Sequence, residues 1–446
     1  MVSRYPPRGR LHAGRGTAAY TKMLAVALVE SGWSVEVLAE RIDGHADTYT
    51  EDGVMVRREW RLGWRAVYDI HRAVRSLGAN LFHLQHELFL FGRGTAALAA
   101  PVVLRVLSRS GAVVTTVHGI LPRDEYSSTL TSAYARAVPK SLVRAAYSWV
   151  IREIVRRSSR TIVHSASLLA SLCEYRRSDG AVVIPMGVGR PGPAVTRAEA
   201  LAQFGWEEKK RAAFLGYLLP YKGVDVFERA APLLAREGIE VVIAGASTGD
   251  PTPTHALGRL PAHTNVRRMG FVPEERLPAL FAAIDVLVLP YRVGLSASGP
   301  LCMAAAYGVP AAVSDVPPLM EAVGTPEAVF AREDEVDLAM VVTQIIGDGA
   351  RAQRIVASMA DATRDMTWHN SAVRTRELYT SLVNGVTSSS GGPCKQLDLA
   401  VAGDGNDEGE ANVEDSRGGA LGHTETPKQS IGDELDVEGH ERVAPR

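Results

Sequence analysis

The chain is poor in the residues that mark disulfide-bonded, metal-binding and membrane-spanning proteins. Only three cysteines occur in 446 residues, and the spacing of Cys173, Cys302 and Cys394 fits neither a disulfide framework nor a metal site. No apolar run reaches the roughly 18 residues that a spanning helix needs. The N-terminus also lacks the apolar core of a signal peptide. We therefore expect a cytoplasmic protein that holds no metal.

The net charge of -1 hides an uneven distribution. Residues 1–195 hold 26 Lys and Arg against 15 Asp and Glu, residues 196–384 hold 18 against 22, and residues 385–446 hold 5 against 13. The basic first half suggests an anionic partner. The last segment is acidic and rich in glycine, with almost no aromatic residues, and we expect it to be a disordered tail.

Apolar strand-like runs alternate with helical patterns along most of the chain, which predicts parallel α/β domains. Residues 1–184 form one such series, and its first strand looks truncated. The Gly- and Pro-rich segment 185–194 is predicted to be a hinge, and residues 195–366 form a second series. A helical pattern over 367–384, predicted to pack back on the N-terminal domain, precedes the tail at 385–446.

The segment from Asp285 to Glu321 is typical of a phosphate-binding loop. An apolar strand, DVLVLP, leads through small polar residues to Ser298 and Gly299, which begin a short helix. The first amides of a helix lack intrahelical partners and the helix dipole is positive there. We expect an anion to be bound at this helix N-terminus.

Two other segments also lead into a helix N-terminus where an anion could bind. Lys222 precedes a helix in FLGYLLPYKGVDV and could add a positive charge to a bound phosphate. Gly14 and Gly16 form a glycine loop ahead of the first helix, although their spacing does not match the dinucleotide fingerprint.

Polar residues also end two strands of the first half. His86 with Glu87, and His118 followed by Gly119, stand where the carboxyl ends of parallel strands gather ligands. Either histidine could bond to a sugar hydroxyl or stabilise charge on a leaving diphosphate. A structural role is the alternative for both.

The ordered set of segments resembles the retaining glycosyltransferases of family 4 with the GT-B fold. It comprises the glycine loop, HLQHE, VHG, IPMGV, LGYLLPYKGVDV, GFVPEERL and SGPL followed by AAAYGVP, and it extends from about Ser3 to Leu382. The resemblance implies two Rossmann-like domains that face each other across a cleft. It also implies a nucleotide-sugar donor, a glycan or lipid-linked glycan acceptor, no cofactor and no nucleic-acid partner.

The same resemblance implies roles for individual residues. Lys222 would neutralise the donor diphosphate, with amides from the region of Ser298, Gly299 and Leu301, while Gly14 and Gly16 would close over it. His118 would be catalytic beside the donor sugar. Phe271 and Val272 would border the base. His86 and Glu87 are predicted to contact the acceptor or the donor sugar.

Three features depart from the family pattern. Its paired glutamates fall here on Leu295 and Met303, so the ribose contact stays unassigned. The basic residue usual before Lys222 is absent. Only Met1 and Val2 precede Ser3, where the family has a whole central strand, and a misassigned start codon is the explanation that we favour.

The sequence therefore predicts a retaining hexosyltransferase, and the resemblance implies that the leaving phosphate takes the acceptor's proton. A lapsed nucleotide-sugar-binding protein and a nucleotide-sugar 2-epimerase remain alternatives. The basic helix predicted over 139–160 suggests peripheral contact with an anionic membrane surface, although a core helix with one solvated face would show the same pattern.

Overall fold

Two sheets of mainly parallel strands, covered by helices, carry the fold. The computed structural model describes residues 1–9, 16–123, 138–177, 179–189, 191–246 and 265–385. Gly14 and the predicted tail beyond Gly385 lie outside the described residues. Within the described part, the predicted α/β architecture with two parallel sheets is confirmed.

The N-terminal strands are β1 (Glu36–Glu40), β2 (Thr48–Glu51), β3 (Val54–Trp60), β4 (Leu81–His86), β5 (Ala112–Val117), β6 (Arg160–Val163) and β7 (Ala181–Val183). The helices between them are α1 (Gly16–Glu30), α2 (Arg65–Ser76), α3 (Ala100–Ser110), α4 (Lys140–Arg157) and α5 (Ala166–Tyr175). The strands form the blocks β2-β3-β1 and β4-β5-β6-β7.

The first three residues join these two blocks. The Val2 amide donates to the His83 carbonyl (2.8 Å), and the Val2 carbonyl accepts from the Gln85 amide (3.1 Å). On the other side, the Ser3 amide donates to the Leu38 carbonyl (3.2 Å), and the Leu38 amide donates to the Met1 carbonyl (2.8 Å). The interior position of the sheet is therefore occupied, although only by a short segment.

The hairpin of β2 and β3 has a sequence signal that the strand prediction missed. Asp52 and Gly53 connect the two strands, with φ angles of 51° and 77°. A two-residue Asp-Gly loop with positive φ at both positions is a strong hairpin signal. The antiparallel pair could therefore have been found from the sequence.

The C-terminal strands are β8 (Lys210–Leu215), β9 (Ile239–Ala244), β10 (Val266–Gly270), β11 (Val286–Leu289), β12 (Ala311–Ser314) and β13 (Val329–Phe330). They form one parallel sheet in the order β10-β9-β8-β11-β12-β13. Its helices are α6 (Arg197–Phe204), α7 (Val224–Arg236), α8 (Leu277–Ala283), α9 (Gly299–Ala306), α10 (Pro317–Val323), α11 (Glu335–Gly347) and α12 (Gly349–Thr363).

A last helix, α13 (Trp368–Val383), packs on the N-terminal sheet. The buried Tyr379 ring lies 5.3 Å from the Trp33 ring, and its hydroxyl bonds to His83. The predicted hinge is tied to this region, because Ser371 donates to the Pro185 carbonyl (2.7 Å). Contacts distant in sequence thus hold α13 and the hinge against the N-terminal half.

Candidate active site

The start of α9 carries the predicted phosphate site. Ser298 is buried and caps the helix, with its Oγ accepting from the Leu301 amide at 3.4 Å. Pro300 has no N–H to offer. The Gly299 position is open, since a Cβ built there would meet nothing closer than a methionine methyl at 4.0 Å. The Leu301 amide is engaged by Ser298, and Gly299 is left as the accessible part of this helix start.

Lys222 lies beside this helix start. Its ammonium stands 5.0 Å from the centre of the Tyr291 ring, and a Cβ on Gly216 would lie 3.0 Å from the same nitrogen and 3.9 Å from Pro300. Burial lowers the pKa of Lys222, but its interactions with Tyr291 and Tyr221 outweigh that effect and hold the pKa above its usual range. Among the described residues, no carboxylate forms an ion pair with this ammonium.

A close backbone approach fixes the loop that carries Lys222. Gly223 has φ +62°, and a Cβ there would lie 1.9 Å from the Pro290 carbonyl oxygen. Only glycine fits such a position without strain. The backbone of the loop after β8 therefore packs directly against the backbone that follows β11.

Arg292 strengthens this junction and was missed by sequence reasoning. Its amide donates to the Tyr221 carbonyl (2.7 Å), and its guanidinium donates to the Pro220 carbonyl (2.8 Å) and to the Asp225 carboxylate (2.6 Å). The only sequence signal was its position directly after an apolar strand. Arg292 holds the Lys222 loop in place from the neighbouring strand.

The two positions where the family has glutamates hold apolar side chains here, and these side chains pack against apolar residues. Leu295 packs against the N-terminal core, and Met303 packs against the C-terminal core. Neither position offers a carboxylate to a ribose.

His118 is half-buried and belongs to a polar network whose other members, Gln85 and His164, are buried. Its Nε2 lies 2.9 Å from the Gln85 side-chain oxygen, and its Nδ1 lies 3.3 Å from Nε2 of His164. The Tyr20 ring packs edge-on at 4.6 Å. Burial holds the pKa of His118 well below its usual range, and the neighbouring histidines His164, His83 and His86 lower it further. His118 is therefore a neutral imidazole at pH 7.

The other predicted N-terminal residues surround the same sheet edge. His86 is 2% exposed, its Nδ1 has no hydrogen-bond partner among the described residues, and burial lowers its pKa to about 4. Glu87 accepts a hydrogen bond from Thr17 (2.7 Å), next to Gly16 at the exposed start of α1. Glu87 is thus engaged in positioning α1.

The predicted base-bordering residues follow β10. Phe271 is 54% exposed, whereas Val272 packs against the C-terminal core. An exposed aromatic ring at the carboxyl end of a strand can stack on a base. The structure leaves Phe271 available for such a contact.

The two halves meet beside His118. The Ile120 amide donates to the Leu295 carbonyl at 2.8 Å, which joins the loop after β5 to the loop before α9. Glu321 of α10 accepts hydrogen bonds from the amides of Ala166 (2.8 Å) and Ser167 (2.9 Å), at the start of α5. A carboxylate is favourable at a helix N-terminus, so Glu321 stabilises the contact between the halves.

We expect Glu321→Gln to lower the free energy of unfolding by about 1 kcal/mol, because it removes a charged cap on α5. Urea unfolding monitored by tryptophan fluorescence measures the change. The exposed Glu275→Gln serves as the control for loss of one negative charge. Equal stability of the two variants would show that the Glu321 contact contributes nothing.

Two family models match the chain. Residues 14–189 match the model described as Glycosyltransferase Family 4, and residues 209–348 match the model described as Glycosyl transferases group 1. The first covers the sheet edge with His118, and the second covers Lys222 and the start of α9.

Two curated relatives are similar to parts of the chain. The chain is 26% identical over 242 residues to D-inositol 3-phosphate glycosyltransferase of Mycobacterium marinum, covering 49% of each protein. It is 28% identical over 272 residues to a GDP-mannose-dependent alpha-(1-6)-phosphatidylinositol monomannoside mannosyltransferase of Mycolicibacterium smegmatis, covering 55% of this chain and 69% of the relative. The chain thus spans about half the length of the first of these relatives.

Among solved structures, sucrose-phosphate synthase from Thermosynechococcus elongatus is similar, with a TM-score of 0.69 and 17% identity. The alignment covers 86% of this chain and 99% of that protein. At this identity the likeness concerns the fold, which is the two-domain GT-B architecture.

Proposed function

We propose that this chain, which belongs to the family 4 and group 1 glycosyltransferases, moves a hexose from a nucleotide diphosphate sugar to a hydroxyl of a glycan or glycolipid precursor. The C-terminal half binds the donor and the N-terminal half binds the acceptor. The reaction retains the configuration of the transferred sugar. The leaving phosphate takes the acceptor's proton.

The observation that carries this proposal is the position of Lys222. Its ammonium lies in a cluster with Tyr291, Gly216 and Pro300, without an ion-paired carboxylate among the described residues. A cation in such surroundings, next to a capped helix start, is suited to an anionic ligand. A diphosphate between Lys222 and Gly299 supplies the missing negative charge.

The proposal assigns no metal or other cofactor to the reaction. Lys222 and the positive end of α9 stabilise charge on the leaving diphosphate. Among the described residues, no group of three His, Cys, Asp or Glu side chains could hold a metal ion. Transfer that is unchanged by EDTA supports this part of the proposal, and a loss that Mg²⁺ or Mn²⁺ restores contradicts it.

A product assay with radiolabelled UDP- and GDP-sugars tests the reaction itself. Label that moves into a glycan or glycolipid fraction supports transfer. Donor binding without turnover supports a lapsed nucleotide-sugar-binding protein, which the apolar Leu295 and Met303 positions favour. An epimerised donor would indicate a 2-epimerase.

The proposal also places the protein in the cytoplasm at an anionic membrane surface, with α4 as the contact. Leu142 is 62% exposed and Trp149 is 45% exposed on the outer side of α4. A depression of about 600 Å³ there is lined by Lys140, Arg144 and Arg152 together with Trp149. None of the described helices is long and apolar enough to cross a membrane.

The structure changes which basic residues of α4 are the best ones to test. Arg156 and Arg157 both pair with Glu153, and Arg152 donates to the Tyr175 carbonyl at 3.2 Å. These contacts within the protein already satisfy part of the hydrogen-bonding and charge of the three side chains. Lys140 and Arg144 line the depression on the outer side of α4 close to the exposed Leu142, and this position makes them the targets.

We expect the double variant Lys140→Gln, Arg144→Gln to bind anionic vesicles at least tenfold more weakly than wild type, since each basic residue near such a surface contributes about 1 kcal/mol. Cosedimentation with anionic and neutral vesicles at low and high salt measures this. Lys209→Gln, Arg236→Gln removes the same charge from the C-terminal half as a control. Equal binding to both vesicle types would indicate an acceptor that is not presented on a membrane.

A further inference from the structure

The proton positions in the histidine network follow from its end at His164. Nδ1 of His164 lies 3.0 Å from the Ile184 carbonyl oxygen, and a carbonyl only accepts hydrogen bonds. Nδ1 therefore carries the proton. Burial lowers the pKa of His164 to about 4, so the ring is neutral at pH 7 and its Nε2 has a lone pair.

The state of His118 follows from that lone pair. Nε2 of His164 faces Nδ1 of His118 at 3.3 Å, so Nδ1 of His118 must be the donor. Because His118 is also neutral, its Nε2 carries a lone pair and can only accept. The carbonyl of Ile184, directly before the hinge, thus decides which nitrogen of His118 is protonated.

Gln85 completes the arrangement. Its side-chain amide faces Nε2 of His118 at 2.9 Å. As assigned, the Gln85 oxygen faces His118 and the Gln85 nitrogen lies 3.1 Å from Nε2 of His83. A flip of the amide exchanges these two groups, and the lone pair on Nε2 of His118 favours the flipped form. The Gln85 oxygen then accepts from Nε2 of His83, while Nδ1 of His83 accepts from the Tyr379 hydroxyl. Gln85 then donates to the lone pair on Nε2 of His118.

Resting on the proposed function, we infer that His164 and Gln85 are positioning residues, which hold His118 as the neutral form protonated on Nδ1. In this form Nε2 accepts a hydrogen bond from a donor-sugar hydroxyl, which replaces the Gln85 amide. It cannot donate to a phosphate oxygen. Of the two roles open to His118 from the sequence, the sugar contact is the one that this network supports.

Among the described residues around the ring, no group would reverse this state. Tyr20 of α1 contacts the ring, His83 and His86 lie on β4, and His164 follows β6. None of the described carboxylates hydrogen-bonds to His118. An imidazolium would therefore lack a counter-charge.

The nitrogen chemical shifts of the His118 ring test the inference directly. We expect Nδ1 to give the resonance of a protonated nitrogen and Nε2 that of a bare nitrogen at pH 7, with His118→Gln used for assignment. Protonation of Nε2, alone or with Nδ1, would overturn the inference. This readout needs no turnover, so it stands apart from the fate of the proposed transferase activity.

The variant Gln85→Glu tests the part played by Gln85. A carboxylate at this position accepts from Nε2 and raises the pKa of His118. We expect Nε2 to gain a proton and kcat/KM for transfer to fall about tenfold at pH 7, the effect of one lost hydrogen bond. Activity of this variant should fall further as the pH decreases through the raised pKa of His118. The imidazolium that forms has no lone pair on Nε2 and cannot accept from a sugar hydroxyl. Wild type should show no such step between pH 6 and pH 8.

Gln353→Glu, at an exposed position of α12, controls for the added charge. A second variant, His164→Gln, leaves Nδ1 of His118 without a fixed acceptor, and we expect a mixture of both protonated forms. Unchanged affinity for UDP or GDP shows that a variant is folded. A bare Nε2 in folded Gln85→Glu, with wild-type kcat/KM, would contradict the role given to Gln85.

Discussion

Lys222→Met is expected to weaken the binding of a nucleoside diphosphate by about tenfold or more, since a charge-assisted hydrogen bond contributes about 1.5 to 3 kcal/mol. Methionine keeps most of the side-chain volume and removes the ammonium that lies beside Tyr291. The fold should survive, because no ion pair with the described residues is broken. Isothermal titration calorimetry with UDP and GDP measures the affinity of each protein.

Lys209→Met is the matched control, since Lys209 is exposed and pairs only with the exposed Glu207 among the described residues. We expect its affinity to equal that of wild type. Lys222→Ala should resemble Lys222→Met. Wild-type affinity in both Lys222 variants would exclude this residue from the donor site.

Gly223→Ala is expected to lower the free energy of unfolding by more than about 3 kcal/mol, because strain and steric overlap act together. The new Cβ would lie 1.9 Å from the Pro290 carbonyl oxygen, at a φ of +62°. The loop that carries Lys222 must then move away from β11. We expect loss of nucleotide binding along with the loss of stability, measured by urea unfolding and calorimetry.

Gly238→Ala separates the two causes. Gly238 has a similar φ of +70°, but a Cβ there meets nothing within 4 Å. Gly238→Ala should lower the free energy of unfolding by only about 1 to 2 kcal/mol, which is the ordinary penalty of the left-handed conformation. If both variants lose the same stability, the close approach of Gly223 to Pro290 does not hold the loop.

Sequence reasoning worked best where the signal is local. Short apolar runs alternating with helical patterns predicted two series of parallel strands, and the structure contains two sheets of mainly parallel strands. The family resemblance, which rested on the order of motifs, is confirmed by the two family models. The Asp52-Gly53 turn was an available signal that went unused.

The candidate site was predictable only in outline. Lys222 and Ser298 were predicted because each lies between a strand and a helix, where parallel sheets gather ligands, and their role in binding stays a prediction. The contributions of Arg292 and Glu321 were missed. Glu321 caps a helix 155 residues away in sequence, and no local pattern encodes such a partner.

The sequence alone determined the α/β architecture with two parallel sheets and the approximate positions of the predicted phosphate loops, because strand period, helix starts and glycine turns are properties of neighbouring residues. Tertiary structure decided the rest. Three terminal residues complete the N-terminal sheet only because β1 and β4 leave a space between them. Likewise, the proton of His118 is placed by the distant carbonyl of Ile184 acting through His164, and Lys222 is suited to an anion because the fold gives its ammonium no carboxylate among the described residues. These features depend on which groups meet in space, and that is fixed only when the whole chain packs.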